Sequence, residues 1–430
     1  MKLLEYGSRA HARWVASLPR ASAPRPEVVR AAEAIVRSVR REGDAALVRL
    51  TAKLDGVRLT PARLRVRPQE TRALARRADR ELVAALRRMA EQIQDFHARQ
   101  LQSGFRHRLP DGSSLEEIVR PLGSAGLYVP GGAGAYPSSL LMNAIPAQVA
   151  GVEQLVVVTP PRTLETNPAV AAAIVVAGVE EQVFRVGGAQ AIAALAYGTR
   201  TIPAVDAIVG PGNAYVAAAK RLVRGRVQID SEAGPSEVAI LADASADAGL
   251  VAADLLAQAE HGSGDETVVL VTPVRELAEE VVRLVALGTP SVANVARARR
   301  AIARNAAVLL VADLEQGIAA VNELAPEHVE LMTRGAARVA RRIVGGAVFV
   351  GPWTPVAVGD YGIGPNHVLP TGGAARFASP LSVRDFQRRQ SVVTLTRDGL
   401  ARVTEDVVRV AMAEGFRGHA QSVLARFEGE

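Results

Sequence analysis

Strand-like and helical runs alternate along most of the chain from residue 126 onward, and this alternation restricts the fold more than any other feature. The first series extends from GLYV to DAIVG, with helical runs such as residues 138–150 between the short apolar runs. A second series follows from EVAILA to AVFVG. Strands and helices at this spacing are typical of βαβ units and a parallel sheet. The sequence therefore predicts an α/β fold with two doubly wound, Rossmann-like lobes.

Segments without this alternation flank the two lobes. Residues 26–41, 44–54 and 69–102 are predicted to be helical, because apolar residues recur at helical spacing. Residues 400–427 are predicted to form a helical tail that can reach a second subunit. We therefore expect residues 1–22 to form an arm, residues 23–125 a helical segment that packs on the second lobe, residues 126–235 the first lobe, residues 236–380 the second lobe, and residues 381–430 a dimerisation tail.

Length and composition exclude several classes of protein. A chain of 430 residues is longer than one hydrophobic core usually supports, which agrees with two lobes. The chain has no cysteine, so disulfides, thiolate metal sites and cysteine nucleophiles are excluded. No apolar run approaches the ~20 residues of a membrane span, and the N-terminus lacks the apolar region of a signal peptide. We expect a cytoplasmic protein without a membrane segment.

The net charge of +7 raises the possibility of a nucleic-acid partner. However, 48 of the 51 basic residues are arginine, and they are spread over predicted helices rather than gathered in one run. A general preference for arginine over lysine explains this composition more simply. We therefore do not expect nucleic-acid binding.

A loop between residues 351 and 373 is the first candidate for a functional site. It contains six glycines and four prolines in 23 residues, a composition that disfavours an ordinary helix or a central strand. Asp360 and His367 lie within it. Long irregular loops in compact domains are usually functional or disordered, so this loop either delivers polar side chains to a site or lies solvated on the surface.

Three further clusters pair an imidazole with another polar group. Gln258 and His261 lie three residues apart on one face of a predicted helix, near its end. Glu327 and His328 are adjacent where a helix passes into the strand HVELM, and Glu414 and His419 flank a glycine in the tail. Such groups can act as metal ligands or as an acid–base pair. Taken singly, each is explained better by solvated polar residues at a helix end or in the tail than by a functional site.

Glycines at two strand-to-helix turns suggest a place for a dinucleotide. The chain has no GxGxxG sequence, but Gly187-Gly188 and Gly210-Pro211-Gly212-Asn213 each precede a predicted helix. Backbone N–H groups at such helix starts can hold phosphate. A glycine that only turns the chain remains an equally good explanation.

Long sequence strings, taken together, resemble the histidinol dehydrogenase family over nearly the whole chain. The matching strings are GLYVPGG, YPSSLLMNAIPAQVAGV, VGGAQAIAALAYGT, VGPGNAYVAAAKRLV, AGPSEV, ADLLAQAEH, LAPEHVELM and GDYGIGPNHVLPTGG, which continues to Arg376 and Phe377. Agreement in so many separated segments is much more specific than any single motif.

The resemblance implies a homodimeric, zinc-dependent enzyme that oxidises L-histidinol to L-histidine through the aldehyde in two NAD-dependent steps. It implies NAD contacts in the first lobe, and zinc and catalytic residues in the second. The implied residues are Gln258, His261, Asp360 and the partner copy's residue 419, a histidine, for one zinc ion per subunit; Glu327 and His328 for acid–base catalysis; Tyr128, Gln190 and Asn213 for NAD; and Ser236, Gln258, His261, His328, Asp360, His367, Glu414 and His419 around the substrate.

The resemblance also implies a division of labour between the two catalytic residues. His328 would remove the hydroxyl proton in the first step, and Glu327 would activate water on the aldehyde in the second. The absence of cysteine agrees with such a hydrate route, because a thiohemiacetal cannot form. The nearest alternative is a relative with the same zinc site that oxidises another small amino or polyol alcohol. A more distant alternative is a basic nucleic-acid-binding protein.

Overall fold

The structure is a computed structural model that describes residues 1–19, 25–131, 136–231, 234–262 and 264–428. Residues 20–24 at the junction of the expected arm and helical segment, and residues 232 and 233 near the expected lobe boundary, lie outside the described residues. The chain forms two compact units. The first combines Met1–Gln100 with Leu122–Phe386, and the second combines Leu101–Pro121 with Gln387–Glu430.

The first unit contains two mainly parallel sheets, and the first of these has the strand order β2-β7-β6-β5-β8-β9. Its strands are β2 (Arg65–Val66), β5 (Ser124–Tyr128), β6 (Gln154–Thr159), β7 (Val183–Arg185), β8 (Ala207–Val209) and β9 (Gln228–Ile229). Its helices are α2 (Pro26–Glu42), α3 (Asp44–Leu54), α4 (Pro68–Ala75), α5 (Arg80–Ala98), α6 (Pro137–Ala150), α7 (Thr163–Thr166), α8 (Pro168–Val176), α9 (Gly188–Tyr197) and α10 (Ala214–Val223). Only β2 pairs antiparallel among the described strands of this sheet.

The second sheet is parallel and has the order β1-β12-β11-β10-β13-β14. Its strands are β1 (Lys2–Glu5), β10 (Glu237–Ala242), β11 (Thr267–Thr272), β12 (Ala306–Leu310), β13 (His328–Met332) and β14 (Ala347–Val350). The associated helices are α1 (Arg9–Ser17), α11 (Ala248–Glu260), α12 (Arg275–Gly288), α13 (Val295–Asn305), α14 (Leu314–Leu324), α15 (Ala336–Ala340) and α16 (Val356–Tyr361). The N-terminal arm thus supplies the edge strand β1.

Both sheets are doubly wound, as predicted, because successive strands are added first on one side of a starting strand and then on the other. In the first sheet the order reverses between β5 and β8, and in the second between β10 and β13. Strands such as β10 and β11 are buried along their whole length, which explains their continuous apolar sequence. Ligands of such folds commonly bind beside these reversal points.

The helices that precede the first lobe pack differently from our expectation. We predicted that residues 23–125 pack on the second lobe, whereas α2 packs on α9 and α10, and α4 and α5 pack on α8 and α6, all in the first lobe. The apolar face of α2, with Val28 and Ala32, enters the same core as Phe184 of β7. Burial of that face determines the packing, and helical periodicity alone does not identify the partner.

The long helix predicted over residues 69–102 is divided into α4 and α5. Asp79 caps the start of α5, because its side chain accepts a hydrogen bond from the backbone N–H of Leu82. The helical spacing of Leu82, Leu86, Met89 and Ile93 predicted one buried face. The last three enter the core of the first lobe, whereas Leu82 is exposed.

The second unit is an antiparallel sheet of order β15-β4-β3 followed by two helices. Its elements are β3 (Phe105–Arg108), β4 (Ser114–Pro121), β15 (Gln387–Thr394), α17 (Arg397–Ala413) and α18 (Arg417–Leu424). The sequence predicted the helices of the tail but not the strands, which are rich in charged residues and largely exposed. None of the helices in the described ranges combines the length and apolar composition that crossing a membrane requires.

Candidate active site

The candidate catalytic residues lie at the amino ends of strands in the second sheet. Where β10 pairs with β13, Val238 lies opposite His328. Ser236 therefore lies just before β10, and Glu327 lies just before β13. This is the reversal point of the sheet, but at the edge opposite the carboxyl ends where ligands of such folds usually bind. The carboxyl end of α11 reaches the same edge, because a helix that follows a parallel strand runs back along the sheet.

The hydrogen bonds of His328 define which ring nitrogen carries the proton. Nδ1 lies 3.0 Å from the backbone carbonyl oxygen of Glu237, and the side chain is buried. A carbonyl oxygen only accepts, so Nδ1 donates to it and the neutral ring keeps a lone pair on Nε2. His328 is therefore arranged to accept a proton at Nε2.

Glu327 is buried beside His328 and is held by donors from β10. Its Oε2 accepts hydrogen bonds from the Ser236 hydroxyl and from the backbone N–H of Glu237, the latter at 3.0 Å. The same oxygen lies 3.5 Å from Nδ1 of His328. Hydrogen bonds of this kind favour the charged form of a carboxylate. Glu327 and His328 thus form a carboxylate–imidazole pair with fixed orientation.

Glu237 is a buried carboxyl group at the site that we did not single out from the sequence. Burial, together with the charge of Glu327, raises the pKa of Glu237 to about 7. Its Oε2 accepts hydrogen bonds from the backbone N–H groups of Gly372 at 3.0 Å and Glu327 at 3.3 Å. Glu237 therefore ties the end of the glycine-rich loop to the catalytic pair. A glutamate at the start of an otherwise apolar strand was the available sequence signal.

The glycine-rich loop contains one short helix, α16, although its composition suggested none. Pro355 precedes the helix with the fixed φ of −65°, and Gly359 allows close packing because an added Cβ would lie 2.6 Å from the Phe349 ring. The helix carries Asp360 near its end. Proline at the entry and glycine at the contact therefore shape this helix rather than prevent it.

His367 joins this loop to the first lobe through both ring nitrogens. Nδ1 lies 3.1 Å from the backbone oxygen of Asp360, and Nε2 lies 3.3 Å from the hydroxyl of Ser139 on α6. Nδ1 thus donates, and Nε2 accepts the hydroxyl hydrogen. Burial lowers the pKa of His367, against the opposing effect of Asp360. The ring is neutral and bridges the two lobes.

Gln258, His261 and Asp360 line one cavity of about 600 Å³. Gln258 is buried, and within the described ranges its Nε2 has no hydrogen-bond partner. His261 is exposed and Asp360 is partly exposed. An amide without a partner beside an imidazole and a carboxylate suits a cation, because rotating the amide would present its oxygen instead.

The structure does not assemble all four expected metal ligands within one copy. Among the described residues, no group of three or more histidine, aspartate and glutamate side chains could hold a metal ion. Glu414 and His419 belong to the second unit, and both are exposed. His419 stacks on Phe416, with ring centroids 5.0 Å apart. The first unit therefore offers three donors of suitable chemistry, and a fourth requires another source.

His328 and His367 line a second cavity of about 580 Å³, together with Phe349 and Asn366. Gly359 lines this cavity, whereas its neighbour Asp360 lines the cavity with Gln258. The two cavities are thus adjacent at α16, and His328 and the candidate metal ligands line different ones. Their link is His367, whose Nδ1 also lies 3.6 Å from Oδ1 of Asp360.

The three expected cofactor residues lie at or beyond the carboxyl ends of strands in the first sheet. Tyr128 ends β5, and its hydroxyl accepts a hydrogen bond from the backbone N–H of Gly188 at 3.1 Å. Gln190 is buried in the first turn of α9, and its Oε1 has no donor among the described residues. Asn213 caps α10 by accepting from the N–H groups of Tyr215 and Val216. This edge is the usual binding place of a dinucleotide.

A second buried carboxyl pair lies behind the candidate metal ligands. Glu330 on β13 is fully buried, and neither of its oxygens has a conventional donor among the described residues. It contacts the carboxyl group of Asp254 on α11. Burial, and then the charge of Asp254, raises the pKa of Glu330 to about 9. Two carboxyl groups in contact without other donors can hydrogen bond only when one keeps its proton.

This pair predicts a stability that decreases as the pH rises. Folded Glu330 keeps its proton up to about pH 9, whereas the ordinary value of 4.5 applies after unfolding. Its stabilisation is therefore fully present below about pH 4.5 and is lost as the pH rises through 9. Between pH 5 and pH 9, the free energy of unfolding should fall less in Glu330→Gln than in the unsubstituted protein. The difference between the two decreases should be at least about 2 kcal/mol.

Thermal melts of the metal-free protein across this pH range would measure the effect. Glu315→Gln is the matched control, because Glu315 is an exposed glutamate paired with Arg342. If Glu330→Gln and the control gave the same pH slope as the unsubstituted protein, Glu330 would not carry the extra proton.

Comparison with known proteins finds similar chains over nearly the whole length of this one. The profile of the histidinol dehydrogenase family matches residues 18–427. A histidinol dehydrogenase from Halalkalibacterium halodurans is 44% identical over 93% of this chain and 94% of its own length. One from a Synechococcus species is 48% identical, covering 91% and 90%. The crystal structure of histidinol dehydrogenase from Elizabethkingia anophelis has a TM-score of 0.92 and 32% identity, covering 100% of this chain and 98% of that one.

Proposed function

The chain belongs to the histidinol dehydrogenase family of NAD-dependent oxidoreductases, which act in histidine biosynthesis, and we propose that it oxidises L-histidinol to L-histidine in two successive steps. The observation that carries this proposal is the buried Glu327–His328 pair, whose hydrogen bonds leave Nε2 of His328 ready to accept a proton. The finer assignments below rest on the contacts around this pair.

In the first step, His328 removes the hydroxyl proton of histidinol. Its Nδ1–H is held by the backbone oxygen of Glu237, so the proton enters at Nε2 and the ring becomes positively charged. Glu327, 3.5 Å from Nδ1, stabilises that charge. Loss of this proton from the oxygen and of a hydride from the adjacent carbon converts the alcohol to an aldehyde. A positioned base of this kind contributes about 10²–10⁴-fold to a rate.

In the second step, Glu327 accepts a proton from the water that adds to the aldehyde carbon. Protonated His328 returns its proton to the former carbonyl oxygen, so the product is a hydrate with two hydroxyl groups and His328 is neutral again. His328 then removes one hydroxyl proton as a second hydride leaves, which yields the carboxylic acid. Ser236 and the backbone N–H of Glu237 hold Glu327 in place by donating to its Oε2. A lone pair of the Glu327 carboxylate must become free of these donors so that it can accept the proton of the water. The two steps therefore use the same pair in different roles.

Gln258, His261 and Asp360 would hold a zinc ion, with His419 of a second copy as the fourth ligand. The unpartnered amide of Gln258 and the nitrogen and oxygen donors beside it support this assignment. When bound, zinc supplies a positive charge that fixes the amino and imidazole nitrogens of the substrate. We propose three further substrate contacts, which are Ser236, His367 and Glu414. His367 would give up its hydrogen bond with Ser139 and form one with the substrate instead.

Tyr128, Gln190 and Asn213 would hold NAD at the carboxyl edge of the first sheet. The buried Oε1 of Gln190 lacks a donor among the described residues, and an added Cβ at Gly188 would lie 2.7 Å from it. Glycine therefore keeps this space open beside the helix start. When bound, NAD accepts the hydride of each step. A homodimer and a cytoplasmic location stay predictions, as does the absence of nucleic-acid and membrane partners.

The stoichiometry of the reaction tests this proposal. The purified protein with zinc should form about two NADH per histidine, because two hydrides leave each substrate. NADH absorbance and quantification of histidine in the same sample give the ratio. A one-to-one ratio with aldehyde accumulation would contradict the two-step assignment. If histidinol gave no NADH but another amino or polyol alcohol did, the chain would be a related dehydrogenase of different specificity.

A further inference from the structure

A carboxyl group that the family resemblance does not assign lies beside the candidate NAD site. Asp55 follows the last residue of α3 and is partly buried. Its Oδ2 lies 3.4 Å from Nε2 of Gln190, a long hydrogen bond that leaves most of its acceptor capacity unused. The charge of Asp55 also contributes to the raised pKa of Tyr128, about 12, after the larger effect of burial. Asp55 therefore faces the same crevice as two expected NAD contacts.

The position of Asp55 relative to the sheet suggests a specific role. In dinucleotide-binding folds, an acidic residue beyond the second strand of the parallel series accepts a hydrogen bond from the adenosine ribose. Here the second strand, β6, ends at Thr159 and is followed by Pro160, Pro161 and Arg162, so the βαβ unit supplies no acid. Nη2 of Arg162 lies 3.5 Å from the backbone oxygen of Gly56, the residue after Asp55. The end of α3 thus lies at this place.

The chemistry of the crevice distinguishes two forms of the cofactor. A carboxylate accepts hydrogen bonds from hydroxyl groups, whereas it repels a phosphate. Arg162 is close enough to the end of α3 to pair with a phosphate, but its nearest partner given by the structure is a backbone oxygen. Burial raises the pKa of Asp55. A 2′-phosphate placed beside Asp55 would therefore meet a like charge.

We propose that Asp55 accepts a hydrogen bond from the 2′-hydroxyl of the adenosine ribose of NAD and thereby excludes the 2′-phosphorylated cofactor NADP. This inference rests on the NAD site of the proposed function and adds a residue that determines specificity. The acid comes from the end of α3, outside the βαβ units of the first sheet, whereas the acid of a Rossmann fingerprint lies within them.

Exchange of Asp55 tests the proposal on two readouts. In Asp55→Ser, the ratio of kcat/KM with NADP to kcat/KM with NAD should rise about tenfold or more, because a like-charge contact is removed. The affinity for NADPH relative to NADH, measured by equilibrium dialysis of the zinc-loaded protein without substrate, should shift in the same direction. Asp55→Asn, which keeps the side-chain volume, should show a smaller gain of the same sign.

Two controls separate this role from a structural one. The gain should disappear in Asp55→Ser combined with Arg162→Ala, because the arginine is then unavailable to the phosphate. Glu33→Gln on α2, an exposed glutamate paired with Arg37, should leave the cofactor ratio unchanged.

An unchanged NADP-to-NAD ratio in both Asp55 variants would overturn the inference, provided that the unsubstituted protein turns over NAD. Equal weakening of NADH and NADPH binding would also overturn it, because Asp55 would then contact a part common to both cofactors. Failure of the unsubstituted protein to use NAD at all would instead contradict the proposed function.

Discussion

Replacing His328 by asparagine should lower kcat with histidinol by about 10²–10⁴-fold, with a much smaller change in KM. The amide can still donate toward the backbone oxygen of Glu237, but it cannot accept a proton where Nε2 stood. Both oxidation steps need that proton transfer. Steady-state kinetics with histidinol, and separately with the aldehyde, would therefore reveal a loss in each step.

Glu327→Gln should affect the two steps unequally. The substituted side chain no longer takes a proton from water, so oxidation of the aldehyde should slow more than oxidation of the alcohol, and aldehyde should accumulate. His107→Asn is a control, because His107 is exposed on β3 in the second unit.

If His328→Asn kept more than about a tenth of kcat, His328 would not be the base that this mechanism requires.

Sequence patterns alone predicted the architecture of the lobes because burial leaves a periodic trace. The continuous apolar runs of β10 and β11 and the spacing of Leu86, Met89 and Ile93 in α5 correspond directly to buried faces. The antiparallel sheet of the second unit left no such trace, since β3 and β15 are largely exposed and charged. The partner of the N-terminal helices was also unpredictable, because periodicity defines a face but not what covers it.

The candidate site shows the same limit at the level of side chains. The sequence singled out Glu327, His328 and the residues of the loop, but the roles came from the family resemblance rather than from spacing. Residues whose importance depends on burial escaped attention. Glu237 and Glu330 are glutamates in apolar strands, and only the fold shows that one meets Glu327 and the other meets Asp254. Their pKa shifts are consequences of tertiary packing.

His419→Asn should reduce zinc affinity at least about a hundredfold and remove most of the activity. Even changes to groups that only support a metal ligand commonly cost 10- to 100-fold, so loss of a ligand should cost more. The first unit offers Gln258, His261 and Asp360 in one cavity, and in the proposed ligand set His419 is the fourth donor. Chelator competition would measure zinc affinity independently of turnover.

Gln421→Ala is a matched control for the tail. Gln421 lies on α18 two residues after His419 and is exposed, but it has no proposed contact with zinc. The control should keep zinc and activity. Equal zinc affinity in His419→Asn and Gln421→Ala would remove His419 from the ligand set.

Subunit mixing tests our proposal that each active site combines the first unit of one copy with the tail of another. Glu327→Gln and His419→Asn proteins, each expected to form little histidine alone, would be mixed under conditions that allow subunits to exchange, and histidine formation would be measured. Every mixed dimer then has one site with both native residues, so activity should return to about a quarter of the unsubstituted level after statistical exchange. Confirmed exchange without any return of activity would contradict a site shared between two copies.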